Sequence, residues 1–175
     1  MSDHTINNNL IQLRCGTSIF PSQIIAFEKE LASLLERIPA KFILLVDVSG
    51  QPVTVVGDHG FVDTTALGSL IAADLAASQE IARMTGEFQD FQMILREGEK
   101  SHIIISEAGK FLTFLVQFSK EVPIGWARKL IQGSAQNLMQ IMDSQPTAPE
   151  IVDNSLSQQD LPDLFNDALD EIWKG

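Results

Sequence analysis

The stretch Lys41 to Val48, KFILLVDV, most constrains what this chain can fold into. In a strand, successive side chains point to opposite faces. Phe42, Leu44 and Val46 would occupy one face, and Ile43 and Leu45 the other. A strand apolar on both faces is a central strand covered on two sides. A Ser49-Gly50-Gln51 break follows, and PVTVVG returns as a hairpin partner. Pro52 cannot donate to a ladder, so this second strand is expected to start at an edge. Asp47 and Ser49 favour a turn through local side-chain hydrogen bonds, and Gly50 tolerates positive φ. A catalytic reading of these three residues has only their proximity to support it.

The remaining periodicities build layers around that strand. Pro21 suits a first helical turn, and Ile24, Phe27, Leu31, Leu34, Leu35 and Ile38 then share one side until Pro39. Asp63 is a good N-cap and Gly86 a good stop for TTALGSLIAADLAASQEIARM. Three strands follow: Phe91 to Glu97, then SHIIISE, then FLTFLVQF after the Ala108-Gly109-Lys110 turn. A last long helix runs from about Pro123 to Met142. The order predicts a mixed α+β fold, with one mainly antiparallel five-stranded sheet and helices on both faces. Residues 1–20 lack periodicity and are expected to form a flexible arm, with a short extended piece at Leu10 to Arg14. Residues 21–142 form the domain, residues 143–159 have linker composition, and residues 160–174 form an acidic amphipathic helix.

Charge narrows the function classes. The net charge of −11 is uneven, with eight acids and one base from Asp143 onward. No basic footprint for nucleic acid exists, and docking on anionic lipid is disfavoured. No apolar run reaches the ~18 residues of a membrane span, and the polar N-terminus does not resemble a secretory signal. The single cysteine, Cys15, and the polar start suggest a cytoplasmic protein.

Chemistry finds little support. His4, His59 and His102 have no metal-ligand spacing with each other or with Cys15, so no metal site is expected. His102 reads as a half-exposed strand histidine. The GDHG stretch at 57–60 lacks phosphate-loop spacing, and no Gly-Lys-Ser/Thr tripeptide occurs. Neither catalysis nor a cofactor is expected.

Two helices carry surface signals instead. The helix after Asp63 has a side of large residues (Leu67, Leu70, Ile71, Leu75, Ile81) and a side of small ones (Ser69, Ala72, Ala73, Ala76), edged by Glu80 and Arg83. Asp74 falls on the large side. An unpaired buried carboxylate is costly, so Asp74 is expected to be paired or only partly buried. The C-terminal helix has an apolar stripe of Leu161, Leu164, Phe165, Ala168, Leu169 and Ile172, opposite Asp163, Asp167 and Asp170. A helix this short is marginal alone in water, so its stripe needs cover from its own domain, a sister subunit or a partner's groove.

Four motifs in order, LLVDVSGQPVTVVG, ALGSLIAADLAASQEIARMTGE, ILREGEKSHIIISEAGKFLTFLVQF and PIGWARKLIQGSAQNL, make the chain resemble a Roadblock domain. This is the family of the Roadblock dynein light chains and their bacterial relatives. The resemblance covers about 120 of the 175 residues. It implies a profilin-like fold whose sheet runs 2-1-5-4-3, with one helix on one face and two on the other. It also implies a homodimer in which the third strand and the middle helix meet their copies. The implied role is a non-catalytic platform for a Ras-like small GTPase, or an adaptor in a larger complex. A small-ligand sensor is a further alternative, with Ser106 and Thr113 as weak candidates. Carried over by position, the dimer surface would include Gly68, Ala72, Ala76, Phe91, Met93 and Leu95. The GTPase surface would include Ser69, Ala73, Glu80 and Arg83. The terminal helix would add Leu161, Leu164, Phe165, Leu169 and Ile172.

Overall fold

The both-faces-apolar strand lies inside a five-stranded sheet, as its pattern requires. A computed structural model of the chain describes residues 10–87 and 92–144. The chain order is β1 (Ile11–Gln12), β2 (Ser18–Ile19), α1 (Pro21–Arg37), β3 (Ala40–Asp47), β4 (Pro52–Gly57), α2 (Thr64–Thr85), β5 (Met93–Glu97), β6 (Ser101–Ala108), β7 (Leu112–Ser119) and α3 (Ile124–Asp143). The main sheet runs β4-β3-β7-β6-β5, antiparallel at every pairing. Numbered within the sheet, this is the 2-1-5-4-3 order implied by the resemblance. The expected linker and acidic helix lie outside the described residues.

Alternation along β3 divides the core. Ile43 and Leu45 join Phe114, Val116 and Phe118 of β7 under α1 and α3. Phe42, Leu44 and Val46 face the other way and meet Leu115 of β7, Ile105 of β6 and Ile71 of α2. One helix therefore covers one face and two cover the other. Phe27, Leu31, Leu34 and Ile38 are buried, as their spacing predicts.

Gln23 ties the two-helix layer together. Its Oε1 accepts from Phe20 N at 2.9 Å. Its Nε2 donates to the C-terminal carbonyls of α3, Ile141 O at 2.9 Å and Met142 O at 3.2 Å. Those carbonyls have no backbone partner within their own helix; the C-cap hydroxyl of Ser144 also reaches Ile141 O at 2.7 Å, and Gln23 of α1 closes the rest of the end of α3.

The expected flexible arm is corrected for residues 11–20. β1 and β2 pair as a small antiparallel hairpin. Leu13 and Ile19 are buried in the layer under α1 and α3. The hairpin is also held by polar contacts, since Cys15 N donates to Asp47 Oδ2 at 3.1 Å and Arg14 N donates to Gln51 Oε1 at 2.9 Å.

Gly68 is another correction. It is not on an exposed dimer surface but buried where α2 crosses the β3–β4 turn. A Cβ there would overlap Gly50 O and lie 3.2 Å from Val46 Cγ1. Gly50 faces it with φ +88°, and its own Cβ would stand 2.7 Å from Ser69 Cα. Two facing glycines let helix and turn touch backbone to backbone. Gly68→Ala is expected to cost about 2 kcal/mol, because neither backbone can yield cheaply. A thermal melt identical to that of the native chain would contradict this packing.

Candidate partner-binding surface

Helix α2 is anchored at both ends, as its sequence signals require. Asp63 accepts from Thr65 N at 3.0 Å and Ala66 N at 3.1 Å, and Gly86 takes the left-handed conformation at φ 77°. Between these caps the helix spans 22 residues, about 33 Å. Only Gly68, Ile71 and Leu75 are buried. The helix thus rests on a narrow line and leaves both flanks open.

One flank overlooks the sheet. Leu67, Leu70 and Ala73 border a hollow of about 410 Å³ over Ile103 and Leu115. At its rim Asp74 pairs with Arg96 of β5, with Oδ1 at 2.7 Å from Nη2 and Oδ2 at 3.3 Å from Nε. The expected pairing of Asp74 is therefore met, by a partner on a neighbouring strand. Ile94 and Ile103 remain partly exposed, so α2 covers only part of this face. β5 itself has a single strand neighbour among the described residues.

The other flank overhangs the β6–β7 turn. Ala72, Ala76 and Gln79 look across Gly109 to Met139 of α3, around a cavity of about 680 Å³.

An apolar stripe runs along the solvent side of α2, beside the exposed Ser69, Glu80 and Arg83. Leu70 is 67% exposed, Ile81 62% and Met84 80%. Ala66, Ala73 and Ala77 join them at helical spacing and are also exposed. Phe61 and Val62, just before the helix in sequence, are also exposed. Contiguous exposed apolar surface of this kind marks an interaction site.

The other chemistry-bearing candidates are structural. Asp47 is fully buried. Its carboxylate accepts from Ser49 N at 2.9 Å, Ser49 Oγ at 2.6 Å, Gln51 N at 2.8 Å and Cys15 N at 3.1 Å. All its reach is spent on closing the turn. Burial alone would raise its pKa, but the hydrogen bonds from Ser49, Gln51 and Cys15 outweigh this and lower it. Burial pushes the Cys15 thiol above its ordinary value; Asp47 adds to that, while a hydrogen bond with the Thr17 backbone opposes it. That is the reverse of nucleophile activation. His102 is partly buried, edge-on to Phe118 at 5.8 Å. Among the described residues, no three His, Cys, Asp or Glu side chains gather to hold a metal ion, and no helix is long and apolar enough to cross a membrane.

The sheet order and the single helix on one face have a counterpart among known families. The family model of the Roadblock/LC7 domain matches residues 29–118. The chain belongs to the Roadblock/LC7 domain family. Among solved structures it is similar to Myxococcus xanthus MglB at 28% identity and TM-score 0.65, over 69% of this chain and 97% of that one. The gliding protein MglB of Thermus thermophilus matches at 22% identity and TM-score 0.64, over 71% and 93% of the two chains. A Roadblock/LC7 domain from Streptomyces avermitilis shares the fold at 14% identity and TM-score 0.60, over 66% and 97%. No curated protein sequence matches the chain.

Within this Roadblock domain the residues expected at the surface divide by flank. Ser69, Ala73, Glu80 and Arg83 are all exposed on the outer ridge of α2. Ser69 Oγ bonds back to Thr65 O at 3.2 Å, and Glu80 pairs with Arg83. Ala72 and Ala76 lie on the flank away from β5, so they do not share a surface with that strand. Met93 packs into the layer under α1 and α3, and Leu95 is exposed. Phe91 and the C-terminal residues Leu161, Leu164, Phe165, Leu169 and Ile172 lie outside the described residues. Leu70 and Ile81, on the side of large residues, are exposed and border or extend the sheet-side flank. Large apolar residues next to alanines are the signal in the sequence, but a wheel alone does not say which edge of a broad apolar arc meets the sheet.

Proposed function

We propose that this chain is a non-catalytic, homodimeric regulator or scaffold of a Ras-like small GTPase. The observation that carries the reading is the exposed apolar stripe of α2, set beside a partly covered sheet face and the edge of β5, which has no second strand neighbour among the described residues. An open strand edge is a template for pairing, and a second copy would supply both a strand and a helix. Full burial of Leu70, Ile81 and Met84 would contribute about 1.5–3 kcal/mol each. The face of the dimer then runs along Leu70, Ala77 and Ile81 with β5. The ridge of Ser69, Ala73, Glu80 and Arg83 is left for the GTPase. Membership of the Roadblock/LC7 family and the likeness to M. xanthus MglB support a regulatory role.

The acidic stretch 160–174 is assigned a second contact with the partner, its apolar stripe in a groove and its carboxylates towards a basic surface. The mechanism is differential binding: the platform shifts the GTPase only as far as it binds one nucleotide state better than the other.

The test is a pulldown with a Ras-like GTPase encoded beside this gene, loaded with each nucleotide in turn, followed by a nucleotide-hydrolysis assay. Retention of one state and an altered hydrolysis rate are expected. Deleting residues 150–175 is expected to weaken retention while the circular dichroism of the domain is kept. A GTPase retained in neither state would replace this reading with that of a structural adaptor.

A further inference from the structure

Glu107 and Thr113 stand opposite each other on β6 and β7. Phe114 turns to the layer under α1 and α3, so alternation turns Thr113 and its cross-strand partner Glu107 towards α2. Both line the larger cavity beside α2, about 680 Å³, within the ~300–1,000 Å³ of small-molecule sites. Thr113 is 0% exposed, and its hydroxyl has no hydrogen-bond partner among the described residues. An unpaired buried hydroxyl costs about 1–3 kcal/mol, and native structures seldom leave one without a reason.

The neighbouring carboxylate is held in place. Gln79 Nε2 donates to Glu107 Oε1, and Gln92 N donates to Oε2 at 2.8 Å. Each of these oxygens keeps a second lone pair. The facing walls carry Ala72, Leu75 and Ala76 of α2, Val48, and Met139 of α3, with the amide side chains of Gln132 and Gln136 of α3 also in the lining. Lys110 stands at the mouth and is exposed, where water and salt screen it. The polar end thus sets the buried Thr113 hydroxyl beside the partly buried Glu107 carboxylate, beneath a vestibule of alanines, Leu75, Val48 and Met139 edged by two amides. An anionic head would be repelled there, and a purely apolar ligand would leave Thr113 unpaired.

We propose that this cavity binds a small amphipathic molecule with a compact apolar body and a hydrogen-bond-donating head, an ammonium or a hydroxyl, directed at Thr113 Oγ1 and Glu107. The site lies on the flank of α2 away from β5, and the proposal does not depend on the GTPase reading.

The experiment titrates the isotope-labelled full chain with three probes of similar shape: phenethylammonium, phenethyl alcohol and phenylacetate. Saturable shifts of the Ala76, Gly109 and Lys110 amide resonances are expected with both donor probes, roughly tenfold tighter than with phenylacetate, as for one lost hydrogen bond. Thr113→Val is expected to abolish the shifts and to leave the melting temperature of the free protein unchanged or raised. Ala76→Phe, which fills the cavity from the helix wall, is expected to abolish them independently. Absence of saturable shifts with the donor probes, or equal binding of phenylacetate, would overturn the proposal. So would binding that survives Thr113→Val, or a melting temperature lowered by that change, since the hydroxyl would then already have a partner in the free chain.

Discussion

Ala77→Arg is expected to halve the mass of the protein in solution. Ala77 lies on the exposed apolar side of α2, between Leu70 and Ile81. In the proposed dimer this side meets the second copy. An arginine there places a cation against its own symmetry mate in apolar surroundings. Burying an uncompensated charge costs several kcal/mol, and each 1.4 kcal/mol weakens association about tenfold. A dimer of micromolar affinity or weaker would then be monomeric at ordinary working concentrations. The side chain is free to reach water in the monomer, so the melt of the separated chain need not suffer. Ala72→Lys serves as the control, because Ala72 sits on the flank turned to α3 and away from β5. Light scattering on both variants decides the matter. A halved mass for Ala72→Lys with an unchanged mass for Ala77→Arg would place the interface on the wrong flank.

Asp47→Ala is expected to cost about 3–5 kcal/mol, among the largest effects of any single change in this domain. It strips a partner from three backbone N–H groups, of Cys15, Ser49 and Gln51, and from the Ser49 hydroxyl. Each donor left unsatisfied and buried costs about 1–3 kcal/mol. The loss also detaches the β1–β2 hairpin from the β3–β4 turn. Its pH dependence has a definite sign. Burial raises the Asp47 pKa, but hydrogen bonds from Ser49, Gln51 and Cys15 prevail and place it below the ordinary value. A group with a depressed folded pKa stabilises fully above its unfolded value, about 3.9 for aspartate. That contribution fades as pH falls through the folded value. Urea titrations should therefore show a constant gap between native chain and variant near neutrality, closing in acid below pH ~4. A gap that widens in acid would contradict the assignment.

These two residues mark the limits of what periodicity reveals. Asp47 was legible as a turn residue because donors to its carboxylate are local, at Ser49 and Gln51. Its third partner, Cys15, lies 32 residues earlier and has no signature in the sequence. The hairpin before α1 is consequently expected as a loose arm, although Leu13 and Ile19 complete the core. On α2 the difficulty is different. Alanines and large apolar residues occupy most of its circumference, so the pattern admits several burial faces. The choice of Ala72 and Ala76 over Leu70 and Ala77 cannot be made from side-chain size. Asp74 pointed to a paired site, but only the position of β5 supplied Arg96.

By itself, the sequence determined the elements and their layering. A strand apolar on both faces needs cover on both sides, Asp63 and Gly86 bound α2, and the turn chemistry of Asp47 to Gln51 orders a hairpin. Each of these acts over a few residues, where chain geometry alone brings the groups together. Tertiary structure decided which distant residues meet: Gly68 against Gly50, Gln23 on the end of α3, and Thr113 beneath α2 without a partner among the described residues. It also decided which flank of an alanine-rich helix stays open. The Gln23 contact depends on how α1 and α3 lie together on one face; the other outcomes depend on the angle and height at which α2 crosses the opposite face, which backbone contact at two glycines sets and no local pattern encodes.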